Sequence, residues 1–122
     1  MTYDNMNMLL QIRIPELTDH IKKETDYWKG KEVPTYCLYE GAINGSGFMV
    51  DLLTQKPNPE LLSRVFGFFE EMANCEDFEV RNLLKVGILE YLWGEKLVEV
   101  ANKYMHPQTK KLCDELHVYF RS

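Results

Sequence analysis

Cysteine, histidine and positive charge are all in short supply in this sequence. Three cysteines, three histidines and fourteen Lys and Arg stand in 122 residues, against nineteen Asp and Glu. Cys37, Cys75 and Cys113 are far apart and none belongs to a CxxC pair, which excludes a zinc knuckle or a dithiol redox motif. So sparse and odd a count predicts reduced thiols packed as small hydrophobes in an intracellular protein. His20, His106 and His117 have no neighbour at ligand spacing, and Glu115 and His117, two apart, diverge on a helix. No metal or cofactor is expected. A formal net charge of -5 argues against affinity built on phosphate contacts, hence against a nucleic-acid ligand, and favours a basic partner. Unbroken apolar stretches are only a few residues long, far short of the roughly twenty that span a bilayer. The start Met1-Thr2-Tyr3-Asp4-Asn5 lacks the basic residues of a secretory leader. The expectation is a soluble cytoplasmic chain with no membrane partner.

Catalytic signatures are missing as well. Gly41, Gly45 and Gly47 fall close together, as glycines do where backbone N–H groups cradle a phosphate. No Lys-Ser or Lys-Thr follows them and no strand or βαβ alternation surrounds them, so the Walker and dinucleotide fingerprints fail. Close helix packing or a kink is the expectation there. Ser46 and Ser63 sit on no nucleophile elbow. The adjacent carboxylates Glu70-Glu71 and Glu76-Asp77 diverge on a helix and carry no glycosidase or two-metal spacing. The chain does not read as an enzyme.

What it does have is helical periodicity. Hydrophobic residues make up 45 %, and the length suits one domain over residues 1–122. Asn58 and Pro59 suit a cap and a first helical position, and Leu61, Leu62, Val65, Phe66, Phe68, Phe69, Met72 and Ala73 follow at steps of three and four. Asp77 caps a second helix with Val80, Leu83, Leu84, Gly87, Ile88, Tyr91 and Leu92 on its inner face, ending at Gly94. These two form a helix hairpin. Leu97, Val98, Ala101, Tyr104 and Met105 mark a short helix that ends before Pro107. Leu112, Cys113, Leu116, Tyr119 and Phe120 mark the inner face of a last one, with Arg121 on its wet side. Upstream, Tyr3 to about Ile12 forms a helix, and Pro15 opens another carrying Leu17, Ile21 and Trp28. The segment 36–54 reads as an interrupted helix, with a short strand at 36–39 as the alternative. The fold expected is all-α: five to seven helices in an irregular array of hairpins resembling a HEAT-like α-solenoid.

Charge supplies the candidate site. From Glu70 to Glu79 the sequence holds Glu70, Glu71, Glu76, Asp77 and Glu79 and no basic residue, straddling the turn between the two clearest helices. Asp77 and Glu79 complement a helix N-terminus, but Glu70 and Glu71 stand at a C-terminal end, where the helix dipole disfavours anions. Such crowding points to an external cation, with a solvated surface as the alternative. Phe78 within the run is an apolar anchor if exposed, and interface cores favour aromatic side chains.

Two stretches carry a resemblance. Pro59-Glu60-Leu61-Leu62 through Phe68-Phe69-Glu70-Glu71-Met72-Ala73-Asn74 and then Glu79 to Leu92, followed by Lys103-Tyr104-Met105 and Pro107 to Leu112, resemble a family of small bacterial cytosolic proteins. The likeness covers about half of the chain, with weaker matches at Pro15-Glu16-Leu17 and Ile43-Asn44. Members of that family lie beside polymorphic or contact-dependent growth-inhibition toxins. The resemblance implies an immunity protein that neutralises a cognate toxin domain, a basic nuclease being the expected target. The alternative is a helical adaptor or regulatory scaffold acting on another protein.

Overall fold

Asn58 and Pro59 open the longest helix as their chemistry favours. In the computed structural model, which describes residues 1–55 and 58–120 apart from the side chains of Tyr119 and Phe120, Asn58 Oδ1 accepts from the Leu61 N–H at 3.2 Å. Pro59 takes the first position, where its missing N–H removes no helical bond. The helices are α1 (Met6–Arg13), α2 (Thr18–Tyr27), α3 (Thr35–Tyr39), α4 (Phe48–Thr54), α5 (Pro59–Ala73), α6 (Phe78–Leu84), α7 (Glu90–Gly94), α8 (Val98–Asn102), α9 (Pro107–Glu115) and α10 (His117–Phe120). Short 3₁₀ turns at Tyr3–Asn5 and Pro15–Leu17 lead into α1 and α2. Of the described residues 78 % are helical and none is in a strand, and seven unbroken helical runs exceed five residues, so the fold is the all-α array expected.

The predicted inner faces of the two clearest helices are buried, whereas Tyr104, expected on the next inner face, lies beyond α8 and is exposed. On α5 these are Leu61, Leu62, Val65, Phe66, Phe68, Phe69, Met72 and Ala73; on the following run Val80, Leu83, Leu84, Gly87, Ile88 and Leu92, with Tyr91 only half-buried. They join Met6, Leu10, Leu17 and Ile21 in one apolar cluster. α1 packs on α3 and α5, and α9 packs on α5, so the array closes around that cluster. The buried Tyr39 hydroxyl donates to the Met6 carbonyl at 2.5 Å and ties α3 to α1. Among the described residues no helix is long and apolar enough to cross a membrane. The placement of Tyr119, Phe120 and Arg121 expected for the last helix lies outside the described side chains.

Residues 36–39 are helical, as the first reading of 36–54 has it, since a lone strand has no ladder to complete its backbone hydrogen bonds. Two other expectations need correcting. Of the thiols only Cys113 is buried, and burial, aided by Asp114, pushes it up to about 11. Cys37, on α3, and Cys75, in the turn between α5 and α6, are only half-buried. Nor is either of the runs 35–45 and 78–94 α-helical throughout.

α3 passes without a break into a π turn at Glu40–Gly45, and α6 passes through a second at Lys85–Leu89 into α7. A π turn adds a residue to the helix and shifts its hydrogen bonds to a spacing of five. Here the Ser46 N–H donates to the Gly41 carbonyl at 2.9 Å. The two turns pack together. Asn44, 1 % exposed, donates from Nδ2 to the Gly87 carbonyl at 3.0 Å, so one π turn satisfies the backbone of the other. Asn44 Oδ1 has no partner among the described residues, and an unpaired buried acceptor costs about 1–3 kcal/mol. The glycines serve close packing and a break, as expected. A Cβ on Gly41 would collide with the Glu24 carboxylate, and Gly47, at φ 87°, takes the left-handed turn that starts α4.

Candidate partner-binding surface

The acidic run lies where sequence placed it, at the end of α5, through the turn and into α6, but its charges are not equivalent. Glu70 reaches the N-terminus of α9. Its carboxylate accepts from the Gln108 N–H at 3.0 Å, the Thr109 N–H at 2.9 Å, the Thr109 hydroxyl at 2.9 Å and Asn74 Nδ2 at 3.2 Å. His106, the residue preceding α9, makes no side-chain cap, so a carboxylate from another helix supplies it. Burial pushes the Glu70 carboxyl upward, but the Thr109 and Gln108 N–H groups, with the Thr109 hydroxyl and Asn74, outweigh it and hold the group below its ordinary value. The unfavourable field at the end of α5 is offset by the favourable one at the start of α9.

Glu71 pairs with Arg13, which reaches it from α1 and also lies over the Phe68 ring, 5.2 Å from its centroid. That hydrogen-bonded pairing outweighs burial and lowers the Glu71 carboxyl. Asp77 serves two backbones: Oδ1 accepts from the Glu79 N–H at 2.9 Å and caps α6, while Oδ2 accepts from the Tyr3 N–H at 2.9 Å. Arg81 donates to the Cys75 carbonyl and closes the turn from the other side. The premise that this run lacks basic neighbours therefore holds along the chain and fails in space. Arg13, fifty-eight positions from Glu71, is the partner that local reading missed.

Glu76, Phe78 and Glu79 remain. All three are exposed, and among the described residues neither Glu76 nor Glu79 has a side-chain hydrogen bond or ion pair. Phe78 is 67 % exposed, with the Arg81 guanidinium 5.8 Å from its ring centroid. Next to them an open groove of about 700 Å³ runs between the N-terminal residues Met1 and Thr2 and the turn residues Glu71, Asn74, Cys75, Glu76 and Asp77. The six residues predicted for partner binding thus divide into three that build the turn, Glu70, Glu71 and Asp77, and three that it presents.

Elsewhere the histidines are separate. His20 meets Phe48 edge-on at 6.3 Å, and His117 meets Trp93 at 5.4 Å between ring centroids. Among the described residues no three His, Cys, Asp or Glu side chains converge as a metal site would require.

Fold and surface together define an acidic, all-α protein with an exposed phenylalanine between two carboxylates that are unpaired among the described residues. The chain belongs to the family described as a domain of unknown function, DUF7674, which matches residues 6–120. No curated protein and no solved structure matches it.

Proposed function

We propose that this chain is an immunity protein that binds a cognate toxin domain, a basic nuclease, and occludes its active site. The observation that carries the reading is the exposed Phe78 ring flanked by the unpaired Glu76 and Glu79 on a turn fixed from several sides. An aromatic anchor within a charged rim is the composition of an interface centre and its edge. Fixing the turn in advance lowers the entropy lost on docking. Acidity suits the target, because a nuclease active site attracts phosphate and complementary potentials raise association rates by about 10–10³-fold at low salt. The resemblance of the stretches 59–92 and 103–112 to proteins that lie beside such toxins supports the same reading. A non-toxin adaptor would use the same surface, and protection of cells tells the two apart.

The test is co-expression with a toxin encoded beside this chain, together with binding kinetics. Wild type should protect and bind. Phe78→Ala should slow nothing but speed dissociation, costing about 2–4 kcal/mol as an anchor, whereas Glu76→Lys with Glu79→Lys should slow association and flatten its salt dependence. A wild-type chain that neither binds nor protects refutes immunity and leaves the adaptor reading.

A further inference from the structure

A second recess lies at the first π turn, and its chemistry is different. It is a cavity of about 310 Å³ between the end of α2, the turn Glu40–Gly45 and α7, near the lower end of the range for small-molecule sites. Three aromatic side chains line it, Tyr27, Trp28 and Tyr91, with two carboxylates, Glu24 and Glu40, and no Lys, Arg or His among the described residues. Neither carboxylate is in an ion pair among the described residues. The neighbouring Glu40, with burial and the further charge of Glu90, pushes the Tyr36 hydroxyl up to about 12. The last turn of α2, which ends at this cavity, carries no basic side chain, so its carbonyl ends add to the negative field. Glu24 is held against the π turn only because Gly41 has no Cβ in its way. Asn44, which also lines the cavity, is buried with its Oδ1 unpartnered while Nδ2 is committed to Gly87.

We propose that this cavity binds an organic cation, an alkylammonium or guanidinium group, between the rings of Tyr27, Trp28 and Tyr91 and against Glu24 and Glu40. Aromatic faces attract such cations through their quadrupoles, and the attraction grows as the cation is desolvated. Two carboxylates supply the countercharge. The site shares no residue with the acidic turn and stands independently of the immunity reading.

The two tryptophans of the chain give two indole N–H signals, so NMR titration of the isotope-labelled protein reports Trp28 directly. The probes are agmatine, Nα-acetylarginine methylamide and, as the uncharged control, N-butylacetamide. A saturable shift of the Trp28 signal is expected with a cationic probe and none with the neutral amide. Response to agmatine alone assigns the site to a free amine; response to the acetylarginine amide assigns it to a basic side chain on a protein. Glu24→Gln with Glu40→Gln should weaken the response about tenfold or more, while Glu76→Gln should leave it unchanged. Equal shifts with the neutral amide, no saturable shift with either cation, or wild-type affinity in the double variant would overturn the proposal. Should the double variant lose its helical spectrum, the comparison of charged and neutral probes on wild type still decides.

Discussion

Replacing Glu70 by Ala removes a cap that is distant in sequence from the helix it caps. Two backbone N–H groups at the start of α9 and the hydroxyl of the fully buried Thr109 lose their acceptor at once. A lost N-cap costs about 0.5–2 kcal/mol, and hydrogen bonds to a charged group contribute about 1.5–3 kcal/mol. These overlap, since water can reach the freed N–H of Gln108, and the net loss should be about 2 kcal/mol. Thermal unfolding followed by circular dichroism should show a midpoint roughly 8 °C lower. pH separates this cause from a simple packing loss. The folded Glu70 carboxyl titrates below its unfolded value, so its stabilisation is complete above the unfolded value and fades as pH falls through the folded one. Wild type and Glu70→Ala should therefore differ fully at about pH 7 and converge only as pH falls below the lowered folded value of Glu70. Glu70→Gln, which keeps shape and removes charge, should fall between them at neutral pH. An Ala variant as stable as wild type at neutral pH, or a deficit unchanged in acid, would refute the cap.

Phe69→Ala and Leu84→Ala, at fully buried positions, should each lower stability by about 2–5 kcal/mol in urea denaturation. Asn44→Ala deprives the Gly87 carbonyl of its donor and should cost about 1–3 kcal/mol, with faster amide exchange along 85–89. Arg13→Ala breaks a half-exposed pair with Glu71 and should cost only about 1 kcal/mol, part of it from lost contact with Phe68. Gly41→Ala should displace the Glu24 side chain, read as a shift of the neighbouring Trp28 indole signal.

Helix starts and faces were legible because their signals are local. The Asn58 and Asp77 caps, the stop at Gly94 and the three-and-four spacing of α5 each need only a few consecutive residues to act. The π turns are not of that kind. Periodicity over 36–54 and 78–94 predicts helix and is right, yet the extra residue in each turn is stabilised by the other: Asn44 meets Gly87 across 43 positions. The closely spaced glycines hinted at unusual packing in the first segment, and nothing comparable marks the second.

The acidic run shows the same limit for charge. Read along the chain, five carboxylates without a cation look like an unmet demand for a partner. Once folded, Glu70 is satisfied by the start of α9, Glu71 by Arg13 and Asp77 by the backbones of Tyr3 and Glu79. Each is fixed by a segment distant in sequence or by an N-terminus just ahead of it, so their density records how α1, α6 and α9 are held to the end of α5. This alters the experiment that a purely linear reading would choose. Charge reversal at Glu70 or Glu71 would disturb folding and binding together, and a loss of protection would carry no information about the interface. Reversal at Glu76 and Glu79 leaves every one of those internal bonds in place, because only the Glu79 backbone is engaged; Glu79 loses only its favourable place in the first turn of α6, so a loss of protection with the helical spectrum unchanged reports on recognition.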